Sequence, residues 1–133
     1  MVFADTSGFI AAFDARDAWH AQGARAWRSL AKTGEALLTT DLVVAETVTH
    51  LRRRAGWEPS RRAGEAILKS RSIEVVCADR GLLDAAFREF VRIADPKLSL
   101  CDALSFIVMR DRGISCALTL DGHFVDAGFQ IID

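Results

Sequence analysis

Apolar residues fall along this chain in two rhythms. Short, nearly unbroken apolar runs at Val2–Ala4, 36–39, 73–77, 115–120 and 129–132 alternate with longer stretches in which apolar positions recur every three or four residues. The runs predict buried strands and the stretches predict helices. Helices are expected over 7–13, 17–31, from Asp41 to about residue 55, and over 60–70, 80–93 and 100–112. Residues 122–126 read as a turn or a single helical turn. Start and stop signals sit at the expected places. Thr40 or Asp41, Asp79 and Ser99 can cap, with Asp102 three residues after Ser99 in a capping-box arrangement. Gly34, Gly56 and Gly113 are stops, Pro59 suits a first helical turn, and Asp95-Pro96 marks a loop.

Strands alternating with helices, and strands that are apolar on both faces, predict an α/β fold with a parallel sheet covered on both sides. A chain of 133 residues is one domain, 1–133, and long enough for a real core. There is no repeat, low-complexity tract or linker. No apolar run approaches the roughly 18 residues of a membrane span, so no membrane role is expected. The opening Met-Val-Phe-Ala-Asp lacks a basic region and does not read as a secretory signal. The three cysteines, Cys77, Cys101 and Cys116, are odd in number and show no C-x-x-C spacing. That disfavours a disulfide frame or a zinc knuckle and makes a reducing cytoplasm the simplest home. All three are expected as small buried hydrophobes.

Net charge is −1, so the molecule as a whole is no polyanion sponge. The charge is uneven, however. Residues 51–71 carry seven basic side chains against Glu58 and Glu65, a net +5, and the remainder sums to −6. A basic strip beside an acidic pocket suits a polyanionic substrate. The plainer reading is a solvated helix face or a partner surface.

The acids that matter are far apart in sequence. Asp5 follows the first strand, Glu46 lies within the third helical segment, Asp102 sits in the first turn of the 100–112 helix, and Asp121 follows the fourth apolar run. Ends of strands at the carboxyl edge of an open α/β sheet are where such folds place their sites. Carboxylates gathered there repel one another unless a cation neutralises them. The set therefore predicts a divalent-metal site for Mg²⁺ or Mn²⁺ and phosphoryl-transfer chemistry. Each acid also has a structural reading: Asp5 as an N-cap, Asp102 in its capping box, Asp121 in a turn before glycine, Glu46 as an exposed helix acid or a partner of His50 or Arg53. Glu46 stands among Val43, Val44, Ala45 and Val48, where burial of a lone carboxylate would be costly. The chain has no Walker loop, G-x-G-x-x-G, H-E-x-x-H or nucleophile-elbow sequence.

Four segments in this order resemble the PIN-domain ribonucleases, in particular the toxins of VapBC-type toxin–antitoxin pairs. They are Val2-Phe3-Ala4-Asp5-Thr6-Ser7, Val43-Val44-Ala45-Glu46-Thr47, Leu98-Ser99-Leu100-Cys101-Asp102-Ala103 and Leu118-Thr119-Leu120-Asp121-Gly122-His123-Phe124. The resemblance spans the whole chain. It implies a Rossmann-like three-layer α/β/α sandwich with a central parallel sheet of four to five strands. It implies metal-dependent endonucleolytic cleavage of RNA by Asp5, Glu46, Asp102 and Asp121, with Thr6 and Thr119 in support. It also implies a homodimer and a small antitoxin, one of whose arginines often enters the acidic pocket. Some members carry a further acid where this chain has His123. Arg52, Arg53 and Arg54 are the candidates for RNA contact. Trp19, Trp27 and Trp57 are candidates for core or partner contact, with core the expectation for the first two.

Two other readings compete. A phosphatase with Asp5 as nucleophile needs a second aspartate two residues on, and Ser7 stands there. A non-catalytic RNA-binding or regulatory module would use the basic strip and leave the four acids without purpose.

Overall fold

The computed structural model describes residues 1–132. Five strands, β1 (Val2–Ala4), β2 (Leu37–Thr40), β3 (Ile73–Val76), β4 (Cys116–Leu118) and β5 (Gln130–Ile132), form one sheet in the order β3-β2-β1-β4-β5. Every pairing is parallel. Seven helices connect them: α1 (Thr6–Phe13), α2 (His20–Thr33), α3 (Asp41–Arg54), α4 (Trp57–Leu68), α5 (Arg80–Ile93), α6 (Leu100–Asp111) and α7 (His123–Asp126). The chain builds outward from β1 to β2 and β3, then returns to the other side of β1 for β4 and β5. The switch point thus lies between β1 and β4, and the crevice above their carboxyl ends is the favoured binding place in such sheets.

Local chemistry sets the elements. Thr40, Asp79 and Ser99 are the N-caps of α3, α5 and α6, each accepting from a backbone N–H of the first turn. Ser99 and Asp102 form the expected capping box. Gly34 ends α2 at φ 69°, a left-handed conformation that costs a glycine nothing. Gly8 has a different job. A Cβ there would lie 2.2 Å from the Leu118 carbonyl oxygen, so only glycine lets α1 press against β4.

The core is one main cluster across both sheet faces. Phe3, Leu38, Leu104, Phe106, Met109 and Phe124 are fully buried, and Phe106 meets Phe124 edge-on at 5.0 Å. Helix α6 is the most enclosed, which is why its sequence is apolar nearly all round.

Several expectations need correction. The second helix begins at His20, because Asp17 and the following turn hold residues 17–19 outside it. Trp19 is therefore at a helix edge and 56% exposed, not in the core. Trp27 does pack against the core, beside Phe9 and Phe13. Trp57 is 66% exposed. Of the cysteines only Cys101 is buried; Cys77 is exposed because it stands just past the end of β3, and Cys116 is half-buried. No helix is long and apolar enough to cross a membrane.

Candidate active site

The four predicted acids come from four segments and meet above the β1/β4 switch point. Asp5 leaves β1 and caps α1. It is buried, and its Oδ2 takes every hydroxyl bond it receives. Ser7 Oγ donates at 2.9 Å, Thr119 Oγ1 at 2.9 Å, and the Ser7 N–H at 3.2 Å. Ser7 Oγ and Thr119 Oγ1 are themselves 3.0 Å apart. Two hydroxyl protons serve three oxygen–oxygen contacts, so an ionised Asp5 draws both. The hydroxyl lone pairs are used too: the Leu120 N–H donates to Ser7 Oγ at 2.9 Å, and the Asp121 N–H to Thr119 Oγ1 at 3.0 Å. Through these bonds Asp5 fixes the course of the chain as it leaves β4.

The other three carboxylates are anchored in the same way, each by one oxygen. Asp102 Oδ2 accepts from the Ser99 N–H at 2.8 Å. Asp121 Oδ1 accepts from the His123 N–H at 2.9 Å and faces His123 Nδ1 at 2.7 Å. Glu46 Oε2 accepts from Thr6 Oγ1 at 2.6 Å. One oxygen of each group is thus committed to its own scaffold. Among the described residues no side-chain donor reaches the second oxygen of Asp5 or Asp121, while Asp102 also has the Ser99 hydroxyl beside it and Glu46 the Cys101 thiol. Glu46 is exposed, contrary to the expectation of a costly buried carboxylate. The buried stripe of α3 is Val43, Val44, Thr47 and Leu51, which turns position 46 toward the rim.

The electrostatics agree with convergence. Burial pushes the Asp5 carboxyl up to about 6, and the Asp102 charge adds to the rise, against hydrogen bonds from Ser7, Thr6 and Thr119 that oppose it. Burial also raises Asp102, with Asp121 and Glu46 contributing like-charge repulsion. The Cys101 thiol is raised first by burial and then by Glu46, Asp5 and Asp102, so it stays protonated among the acids. His123 is raised by its bond to Asp121, with Asp95 on its other side at 3.5 Å.

The donor set is one of hard oxygens, suited to Mg²⁺ or Mn²⁺ rather than to a soft metal. Among the described residues no three His, Cys, Asp or Glu side chains form a group that could hold a metal ion by themselves. Mg²⁺ does not need such a group, because it keeps several waters and takes one or two carboxylates directly. The residues present fit such an ion.

Of three supporting groups, Ser99 is the capping partner expected for Asp102, whereas the roles of Ser7 at the β4 exit and of His123 were not specified by the sequence. Ser7 links Asp5 to the β4 exit, Ser99 holds Asp102, and His123 holds Asp121. Ser7 and His123 were visible as polar neighbours of an acid two residues away, but nothing in the sequence said which way they point. Two hollows border the site. A shallow, open hollow of about 390 Å³ lies on the exposed face of α3 between Glu46 and Arg53. A cleft of about 370 Å³ opens beside His123 and Asp95.

Comparison with known proteins bears on the chain as a whole. The PIN domain family model matches residues 2–130. The chain belongs to the PIN-domain family. Among curated relatives, 23S rRNA-specific endonuclease VapC20 from two strains of Mycobacterium tuberculosis is 37% identical over 129 residues, covering 97% of this chain and 95% of the relative. The crystal structure of Mycobacterium tuberculosis VapC20, described as a sarcin–ricin loop cleaving toxin, superposes with a TM-score of 0.88 at 36% identity, over 97% of this chain and 96% of that one. The five-stranded parallel sheet of this PIN domain is thus shared with a solved toxin of the family.

Proposed function

We propose that this PIN-domain protein is an Mg²⁺- or Mn²⁺-dependent endoribonuclease and the toxin of a toxin–antitoxin pair. One observation carries the reading: four carboxylates from distant segments are close enough to act on one another's charge, and each is pinned to its own scaffold. The names of its relatives supply the substrate class, RNA, and the sarcin–ricin loop of 23S rRNA is the first target to test.

Asp5, Asp102 and Asp121 would hold the ion, with Glu46 at the exposed edge. The ion supplies positive charge that offsets their repulsion and the charge building on a phosphodiester under attack. The protein's part is positional. Ser7 and Thr119 keep Asp5 ionised and aimed, Ser99 orients Asp102, and His123 orients Asp121. Glu46, exposed and steadied by Thr6, is placed to take the proton of an attacking water. Hydrolysis then breaks the P–O bond to the leaving nucleoside, whose oxygen is protonated from solvent.

The partners follow from the same reading: a cognate antitoxin that covers the acidic rim, and a second copy of the chain. Leu83, Phe87 and Val91 lie at i, i+4 and i+8 on α5, all exposed, which supports a protein partner there.

The test is incubation of purified protein with labelled RNA in Mg²⁺, Mn²⁺ or EDTA, beside Asp5→Asn. Cleavage that requires both the metal and Asp5 is expected. RNA binding without cleavage in every lane would favour the non-catalytic binding module instead.

A further inference from the structure

The basic strip at residues 51–71 shrinks once its ion pairs are known. Arg54 is tied to Asp14 and Asp17. Arg61 pairs with Glu58 and Glu65, Arg62 with Glu58, and Lys69 with Glu65. Among the described residues, Arg52, Arg53 and Arg71 alone of the seven have no carboxylate within 4.0 Å. Of these three, Arg53 lines an open hollow together with Glu46, an acid of the site. The 390 Å³ groove is lined by Ala45, Glu46, Thr49, His50 and Arg53. Positions 46, 49, 50 and 53 are one helical stripe, spaced i, i+3, i+4 and i+7. Glu46, His50 and Arg53 are all exposed along it. With about 1.5 Å of rise per residue, the stripe extends about 10 Å from the acidic rim.

We propose that this groove is the subsite for the substrate strand flanking the scissile phosphate, with Arg53 and His50 contacting its backbone phosphates. The inference rests on the ribonuclease reading for the identity of the strand, but its residues lie outside the acidic quartet. An arginine at the last turn of a helix also has a plain role, since it offsets the helix dipole. Arg52 and Arg54 fill that role equally, yet neither lines the groove. An arginine left without a carboxylate keeps its five N–H donors for a phosphate. Thr49 adds a hydroxyl between the acid and the base.

The experiment compares RNA binding in the Asp5→Asn background, so that cleavage does not intrude. Arg53→Ala, His50→Ala and Arg71→Ala are measured against labelled single-stranded RNA from 50 to 300 mM KCl. Arg71→Ala removes the same charge at the amino end of β3, opposite the site, and is the control. Arg53→Ala should weaken binding about tenfold, the worth of one charge-assisted contact. The slope of log affinity against log salt should become shallower by about 0.7, the value for one single-stranded phosphate contact. Arg71→Ala should stay within about twofold of the parent. In the active protein, Arg53→Ala should raise KM with kcat nearly unchanged. Equal effects of Arg53→Ala and Arg71→Ala, or none from Arg53→Ala, would overturn the subsite. So would loss of binding to a co-expressed antitoxin with RNA binding intact, which would make the groove a protein surface. If the wild type cleaves nothing while Arg53→Ala still lowers RNA affinity selectively, the nuclease reading fails and the subsite stands.

Discussion

Asp5→Asn should make the metal-free protein more stable at neutral pH while abolishing its chemistry. Burial, helped by the Asp102 charge, lifts the Asp5 carboxyl from its ordinary 3.8 to about 6. The folded protein then holds that proton more tightly than the unfolded chain does. Its contribution to stability is full below pH 3.8 and is lost as pH rises through about 6. The gap between 3.8 and about 6 corresponds to roughly 3 kcal/mol at pH 7.5. Asparagine has the same shape and no charge to desolvate. Its carbonyl oxygen can accept the bonds from Ser7 and Thr119 that Oδ2 now accepts, each weakened by about 0.5 kcal/mol because the acceptor is neutral. The net gain is about 1–2 kcal/mol, or about 3–6 °C in Tm for a chain of this size. Thermal unfolding followed by circular dichroism in EDTA, at pH 4.5 and 7.5, measures it. The gain should appear at pH 7.5 and shrink at pH 4.5. Added Mn²⁺ should then raise the wild-type Tm and leave the variant unmoved. A folded variant that is less stable than wild type at pH 7.5, or equally shifted at both pH values, would refute the reasoning.

Gly8→Ala forces a Cβ to within 2.2 Å of the Leu118 carbonyl oxygen, a backbone atom that cannot swing away; a loss of about 3 kcal/mol or an insoluble protein is expected in urea unfolding. Arg54→Ala strips the buried Asp14 of its nearest cation and should cost about 2–3 kcal/mol by the same assay, without changing RNA affinity beyond about twofold. Thr6→Val keeps the shape of the side chain but removes the 2.6 Å bond to Glu46; kcat should fall about tenfold with Tm little changed, as read by steady-state cleavage.

The elements were mostly legible because the chemistry that sets them is local. Asp79 begins α5 and Ser99–Asp102 begins α6 where capping rules place them. Strand order was not legible, because pairing β4 beside β1 joins Phe3 to Ala117 across most of the chain. The identities of the four acids could be read from their positions in the chain and their resemblance to a known family. Their environments could not. Glu46 looked like a buried charge because its sequence neighbours are valines, yet the helix phase that buries Val43 and Thr47 leaves it at the rim. Trp19 failed for a related reason: the turn at 17–19 delays α2 and takes the ring off the apolar face. The net +5 of the basic strip already set Glu58 and Glu65 against it, but not Asp14 and Asp17, which hold Arg54. Ion pairs between distant segments do not show in a count of charges.

The central claim is that these four carboxylates hold a divalent ion, and titration of Mn²⁺ followed by its electron paramagnetic resonance signal tests it most directly. The free Mn²⁺ signal should be lost on adding wild-type protein, Mg²⁺ should compete, and Asp5→Asn and Asp102→Asn should restore the signal while remaining folded. Mn²⁺ that stays free beside the wild type, or that binds the two variants as well as the wild type, would contradict it.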